Sequence, residues 1–530
     1  MVHEIEFLLI LLGATALLAQ LARVLDVPYP IFLVLGGLGI GFLPGLPRIE
    51  LAPDIIFLIF LPPLLNAAAF SASPRDLRDH LRPITQLAVG LVLATTLTVA
   101  LVAHAVIGLP WAASFVLGAI LAPTDPVAAE AIFQRLGVPD RVSTVVGGES
   151  LVNDGTALVA YRVAVTVVVT AGAFSVMSAS LNFLVVSGGG LLLGLILARL
   201  ILPLWSRLKD PPIFIMVSLL VPYGVYIVAE ELRVSGILAV VSYGLYQGWT
   251  APMLFSQAST RLQALSVWEM LTFLLNSLLF ILVGLQFPAI LDSIGENSTF
   301  EILFYAVLVC GLVIGVRLLW FFTVPYLHPL FDRLSWSTYL RSPWEERLVM
   351  GWSGMRGAVS LAAALAIPLR TGSGDLFPGR DLIIFLTFSV ILATLILQGL
   401  TLSPLIRSLH LIDDAPADTI RELEARLKAA HAALGRLEQL CADERVPPQT
   451  QEQMREFYEE RIRRYTAGLE ARGTTDEYVE SSAAWRSWRS NLIAAERDTI
   501  VGLRDAGAIS PTIMRRIEHD LDLEESRIED

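Results

Sequence analysis

Apolar runs of about twenty residues, separated by short polar turns, follow one another from the start of the chain to about residue 407. A hydrocarbon core of roughly 30 Å is crossed by about 20 largely apolar helical residues. By that measure thirteen spans are predicted, near 5–24, 30–47, 53–70, 83–108, 111–134, 143–170, 178–204, 213–230, 233–249, 262–287, 298–325, 345–370 and 380–405. The first lacks a basic flank and begins with Glu4 and Glu6, so it does not read as a cleaved signal peptide. Beyond residue 407 the texture changes. Ile420, Leu423, Leu427, Ala430, Leu434, Leu437 and Cys441 recur at spacings of three and four, as on an amphipathic helix. Further helical stretches and an acidic end, 518–530, follow. The expected organisation is an all-α polytopic membrane domain, residues 1–407, and a helical cytoplasmic domain, residues 408–530, that packs on itself or on the membrane part.

Composition sharpens that division. The 530 residues are 55% hydrophobic and 17% charged, against about a quarter charged in soluble domains. Residues 1–407 carry 21 Lys and Arg and 24 Asp and Glu, whereas the shorter tail carries 17 and 26. The strongly charged part is therefore acidic, which argues against a nucleic-acid partner. Cys310 and Cys441, the only cysteines, fall in unlike surroundings and exclude a disulfide scaffold. Membrane lipid is the expected surrounding.

Basic residues orient the chain. With the tail in the cytoplasm, thirteen Lys and Arg, from Arg23, Arg75, Arg78 and Arg82 to Arg347, lie on the inner side. Only Arg48, Arg233, Arg370 and Arg380 lie on the outer. That bias, together with the odd number of spans, places the N-terminus outside and the C-terminus inside. An Arg to Lys ratio of 36 to 2 suggests a GC-rich bacterial genome.

Ionisable groups inside a span are costly and mark function by default. In span five, Pro123-Thr124-Asp125-Pro126 removes backbone donors at mid-membrane and breaks the helix. In span twelve, Gly351, Gly354 and Gly357 interrupt the helix around Arg356. Two discontinuous helices seven spans apart point to inverted repeats with a site at the midplane; the repeat rests on position alone. Span six carries Glu149-Ser150-Leu151-Val152-Asn153-Asp154. The i, i+4 pairs Glu149/Asn153 and Ser150/Asp154 are expected to make one polar stripe. Its oxygen donors suit a hard monovalent cation rather than zinc or copper.

Charge is unbalanced there. Asp125, Glu149 and Asp154 face a single cation in this count, Arg356. A buried carboxylate without a counter-charge takes up a proton, and an arriving cation displaces it. A group that holds either a proton or a cation is the minimal chemistry of an exchanger. Glu149 and Arg356 are expected to form a structural ion pair that supports the site. Elsewhere, His104 is read as hydrogen-bonded packing, and Arg317 as reaching cytoplasmic headgroups or bracing the core. Glu130 and Glu269 lie nearer span ends, Glu269 as an interfacial residue, and Arg162 has no assignable partner. Gly37, Gly39 and Gly41 read as close helix packing.

These motifs resemble the sodium/proton exchanger family, monovalent cation/proton antiporters of the NhaP type. The resemblance covers essentially all of residues 1–407. It is carried by Leu61-Pro62-Pro63-Leu64-Leu65, Thr124-Asp125-Pro126, Gly148 to Gly155 and Gly354-Met355-Arg356-Gly357-Ala358-Val359. The tail stretch Leu503 to Ser510 also looks like that of bacterial members. It implies a thirteen-helix fold with a dimerisation domain and a six-helix core, working as a homodimer by an elevator-like motion. It further implies that Asp154 binds the ion and the proton, that Ser150 and the Thr124 backbone are cation ligands, and that Asn153 belongs to an Asn-Asp pair. Glu149 and Arg356 would be the family's ion pair, and Asp125 the acid at the helix crossing. An Asn before the Asp resembles the electroneutral branch. Many relatives carry an acidic residue after the Leu-Pro-Pro motif; here the run is Asn66-Ala67-Ala68-Ala69.

The expected activity is exchange of sodium, or of lithium or potassium, for protons across the plasma membrane of a bacterium, for pH and sodium homeostasis. No cofactor beyond the transported ions is expected, and the tail is a candidate for regulatory contacts. A tail-gated cation channel or potassium-efflux system is the alternative, disfavoured because the tail lacks a glycine-rich nucleotide fold. An intramembrane aspartyl enzyme fits poorly with the prolines beside Asp125 and the Asn beside Asp154.

Overall fold

A computed structural model describes residues 2–25, 27–43, 53–170, 176–205, 207–208, 210–254, 258–293, 299–324, 343–411, 415–443 and 447–470, with short pieces between 488 and 525. Lys209, Asp413, Asp414, Arg48, Arg333, Arg341 and the tail stretch 504–510 lie outside the described residues. The chain folds as two compact units, residues 1–412 and 413–530.

Every regular element among the described residues is a helix. The first stretch of chain forms α1 (Val2–Val24), α2 (Tyr29–Gly41), α3 (Pro53–Ile59), α4 (Leu61–Ser71) and α5 (Pro74–Asp79). There follow α6 (Leu81–Ile107), α7 (Trp111–Leu121), α8 (Val127–Leu136) and α9 (Asp140–Thr170). Next come α10 (Val176–Trp205), α11 (Pro211–Glu231), α12 (Gly236–Leu254), α13 (Ala258–Leu285), α14 (Phe287–Ser293) and α15 (Thr299–Thr323). The membrane unit closes with α16 (Trp344–Trp352), α17 (Ala358–Leu365) and α18 (Arg380–Ser408). Seven described helices are long and apolar enough to cross a membrane, and shorter apolar helices stand beside them.

Three expected spans are not continuous helices. The chain leaves the helix between α7 and α8 and again between α16 and α17, at the Pro123/Pro126 and Gly354/Gly357 segments. A third irregularity, at Phe60 between α3 and α4, is new: Pro62 and Pro63 occupy the first turn of α4, where a missing N–H costs nothing.

Packing divides the membrane unit into two helix groups. In one, α2 lies along α13, while α4 and α10 both pack on α12, with α11 against α12, α13 and α4. The first crossing is close because Gly37 and Gly284 have no side chains: a Cβ on either would sit 2.2 Å from a backbone oxygen of the other helix. Gly37 therefore packs as expected, whereas Gly39 meets nothing within 4 Å. In the other group, α6, α7 and α9 pack together, as do α15 with α16 and α18, and α17 with α18. His104 in α6 donates from Nδ1 to the Leu109 carbonyl at 2.8 Å and stacks on Trp111, which is packing, as read. Glu269 is exposed.

In the second unit, α19 (Ala415–Asp443) and α20 (Pro448–Glu470) bury Leu423, Ala430 and Tyr465 against one another. The spacing of Leu423, Leu427 and Ala430 is what gives α19 that face. Ile493, Ile500 and Leu521 form a second small cluster, flanked by ion pairs of Arg489 with Glu524 and of Arg497 with Asp522 and Glu525.

Candidate functional site

The two interrupted segments meet. The backbone N–H of Asp125 donates to the Met355 carbonyl at 2.8 Å, so each break supplies a partner that the other lacks. The Arg356 N–H donates to Thr394 Oγ1 at 3.1 Å. Thr394 begins a π-turn within α18, Thr394–Gln398, the kind of local widening that recurs at functional sites. Asp125 Oδ1 accepts from the Val127 N–H at 3.0 Å, at the start of α8. Its other oxygen lies so close to Gly357, at the start of α17, that a Cβ there would be 1.8 Å away. The positive ends of two helices thus converge on Asp125.

Helix α9 passes beside this crossing, and its polar residues divide between two faces. Ser150 Oγ donates to the Thr124 carbonyl at 2.5 Å. Asn153 Nδ2 donates to Thr124 Oγ1 at 2.8 Å, and Thr124 Oγ1 lies 3.3 Å from Glu149 Oε1. Asn153 Oδ1 is buried without a hydrogen-bond partner among the described residues. Ser150 and Asp154 line a cavity, whereas Glu149 and Asn153 do not. The single stripe expected from sequence is therefore two. Five residues at about 100° each set Glu149 and Asp154 roughly 140° apart around the helix.

The expected Glu149–Arg356 pair is not formed. Glu149 is paired with Arg317 of α15: Nη1 to Oε1 at 2.5 Å and Nη2 to Oε2 at 2.8 Å, with both groups about 1% exposed. Arg317 also donates to the Met350 carbonyl from Nε at 3.3 Å and Nη2 at 3.2 Å, so the C-terminal end of α16 helps hold it. Arg356, equally buried, turns its Nη1 back to the Gly354 carbonyl at 3.2 Å, and its Nε has no partner among the described residues. The reason is geometric. Arg317 presents a planar fork to both carboxylate oxygens, which leaves Arg356 no bidentate position. The charge count of the sequence was thus short by one cation, and that cation is consumed by Glu149. Asp125 and Asp154 keep no basic partner among the described residues.

The cavity occupies about 490 Å³. From α9, Asp140, Ser143, Thr144, Gly147, Ser150 and Asp154 line it, a wall about 21 Å long at 1.5 Å per residue. Asp76 and Asp140 at one end are exposed; Glu130, Asp125 and Asp154 further in are half-buried. Among the described residues, five carboxylates and no Lys, Arg or His line this space. The cavity-facing side of α4 offers Leu61, Leu64, Leu65 and Ala68 but no carboxylate, and Asn66 is buried away from the lining. Asn276 of α13 supplies an amide there instead. Sequence reasoning missed Asn276, although an Asn within Leu274-Leu275-Asn276-Ser277-Leu278 is a legible polar exception. It also left Glu130 at a span end, because the break at Pro126 that turns it inward had no visible depth.

A family described as "Sodium/hydrogen exchanger, transmembrane" matches residues 8–408. The chain belongs to the sodium/hydrogen exchanger family. An uncharacterized Na(+)/H(+) exchanger of Mycobacterium tuberculosis is 35% identical over 505 residues, 94% of this chain and 92% of that protein. The Na(+)/H(+) antiporter ApNhaP of Aphanothece halophytica is 33% identical over 440 residues, covering 82% and 81%. In fold the chain is similar to the sodium proton antiporter MjNhaP1 of Methanocaldococcus jannaschii, with a TM-score of 0.61 at 24% identity over 76% of this chain and 98% of that one. As a member of this family the chain is a multi-span membrane protein that exchanges a monovalent cation for protons, and not an enzyme.

Two predictions follow from this geometry. Removing one partner of a buried ion pair costs about 3–5 kcal/mol. Arg317→Ala and Glu149→Ala should therefore sharply lower the yield of monodisperse, detergent-extracted exchanger, while Arg356→Ala lowers it less; size-exclusion profiles at matched expression check this. Glu130→Gln removes one negative charge from the cavity wall without touching the crossing. It should raise the apparent KM for the cation severalfold with little change in maximal rate, measured as dye recovery against cation concentration in vesicles.

Proposed function

We propose that this exchanger moves one sodium ion against one proton across the plasma membrane without net charge movement, serving sodium and pH homeostasis. The observation that carries this reading is the acidic cavity reaching Asp154, with Ser150 and Thr124 beside it. Asp154 is the group that holds either the proton or the cation. Asp125 holds the helix crossing and adds negative charge, and Ser150 and the Thr124 oxygens complete an oxygen-donor set of the kind hard cations prefer. Asn153, bonded to Thr124, positions that oxygen. Sodium is favoured over lithium or potassium by the activity that the name of ApNhaP states. Having Asn153 rather than a second acid beside Asp154 supports a one-for-one exchange.

The remaining features fit the same reading. On this reading the chain has thirteen spans, with the N-terminus outside and the C-terminus in the cytoplasm by the charge rule. Arg75, Arg78 and Arg135 stand in the segments next to Asp76 and Asp140, so the cavity mouth faces the cytoplasm by the charge rule. The two broken helices belong to inverted repeats. The chain works as a homodimer, and its acidic second unit carries regulatory contacts.

Everted membrane vesicles with a pH-sensitive dye test the reading. Added sodium should dissipate a preset acid interior, with lithium and potassium as parallel arms, and Asp154→Asn should reduce the response to that of vesicles lacking the protein. Parent-like exchange by Asp154→Asn overturns the assignment. An imposed membrane potential should leave the rate unchanged, and a clear voltage dependence would exclude one-for-one exchange.

A further inference from the structure

Arg162, an intramembrane charge without an assignable partner in the sequence, has one in the fold. Its Nη2 donates to both oxygens of Glu230, at 2.9 and 3.0 Å. Glu230 lies in the last turn of α11, and its Oε1 also accepts the Gly236 N–H at 3.3 Å, which ties it to the start of α12. Arg162 is on α9, eight residues beyond Asp154 in the direction away from Asp140, or about 12 Å further from the cavity mouth. Between them Tyr161 is buried, on nearly the same face of the helix as Asp154. The two helices belong to different groups: α9 packs mainly with α6 and α7 and only along part of its length on α10, α12 and α4, whereas α11 packs on α12, α13 and α4. The pair therefore bridges the seam between the groups, on the side of the site opposite the cavity.

We propose that Arg162 and Glu230 are a positioning pair for exchange, a latch that holds the site-bearing helix closed on the far side and must part before Asp154 opens there. The proposal rests on the exchange reading, since a cation that enters by the cavity must leave by the other face. The strength of the pair suits the task. Glu230 stands at the end of its expected span, where charged side chains reach the interface. The two side chains are 42% and 31% exposed. Interfacial pairs in contact with water contribute little, so the latch biases the closed state without trapping it. A fully buried pair such as Glu149–Arg317 would be too costly to break once per cycle.

Two readouts on the full-length chain test it, with Cys310 and Cys441 replaced by Ser. In the first, Arg162→Cys with Glu230→Cys is bridged by a reducible bifunctional thiol reagent in vesicles. Bridging should arrest exchange, and reduction should restore it; near-complete bridging with unchanged exchange overturns the latch. In the second, which does not depend on transport, Tyr161→Cys is labelled by a membrane-impermeant maleimide added on the side opposite the mouth. Adding Glu230→Gln should speed labelling by roughly twofold to fivefold, the population shift that an exposed pair can supply, and an unchanged rate overturns the proposal. Faster labelling in a protein that exchanges no cation would sink the exchange reading and leave the latch standing. Charge reversal controls for folding: Arg162→Glu should impair exchange, and Arg162→Glu with Glu230→Arg should recover it. Failure to recover, in protein that extracts normally, counts against the pair.

Discussion

The membrane unit is organised around a backbone constraint. In hydrocarbon no water is present to bond an exposed N–H or C=O, so irregular backbone survives only where protein groups satisfy it. The Pro-Thr-Asp-Pro and Gly-Met-Arg-Gly segments are both irregular, and they survive because they cross. Asp125 N–H meets the Met355 carbonyl, Arg356 N–H meets Thr394, and the Thr124 carbonyl meets Ser150. The first joins the two segments, and the other two tie α18 and α9 to the crossing. The polar groups that could hold an ion are therefore part of what keeps the broken helices together.

Charge is arranged on the same framework. Helix α9 brings two carboxylates to the crossing, and its pitch points them in different directions. Glu149 faces Arg317 and is neutralised; Asp154 faces the cavity and is not. Burying an ion pair adds little stability, but losing one partner is expensive. The value of Glu149–Arg317 thus lies in fixing geometry: it locks α9 to α15 and to the end of α16, so that the carboxylate left over is always Asp154. Arg356, with fewer partners, turns to the Gly354 carbonyl just beyond the C-terminal end of α16, where the helix leaves negative partial charge.

Much of this was legible in the sequence. Hydropathy located the helices, the prolines and glycines located both breaks, and the carboxyl, amide and hydroxyl groups at 149–154 marked the stretch of α9 that meets the crossing. What failed were the statements that depend on which neighbour arrives from elsewhere in the chain. Arg356 stands in the interrupted span beside the crossing and Arg317 in an ordinary apolar span, so pairing within the recognisable motifs chose the wrong arginine. The kink at Phe60 was hidden because Pro62-Pro63 reads equally as a helix start or a break. Asn276 and Glu130 were visible as polar exceptions, but only the fold shows that they line the same space as Asp154. Helical spacing alone also merged two faces of α9 into one stripe, since i, i+4 pairs tell which residues share a face and not what that face meets.

The two ion pairs of α9 show how the fold separates holding from moving. Both join an arginine to a glutamate at similar distances, Arg317 through two nitrogens and Arg162 through Nη2 alone. They differ in where they sit. Glu149–Arg317 is sealed within one helix group, where breaking it would strand a charge in low dielectric. Arg162–Glu230 spans two groups and stands open near the end of a span. An exchanger needs one set of contacts that never yields, so that the ion site keeps its shape, and another that yields cheaply, so that the site can change sides. Exposure and bond geometry agree on which pair is which: the two-nitrogen fork is sealed, and the single-nitrogen contact is open.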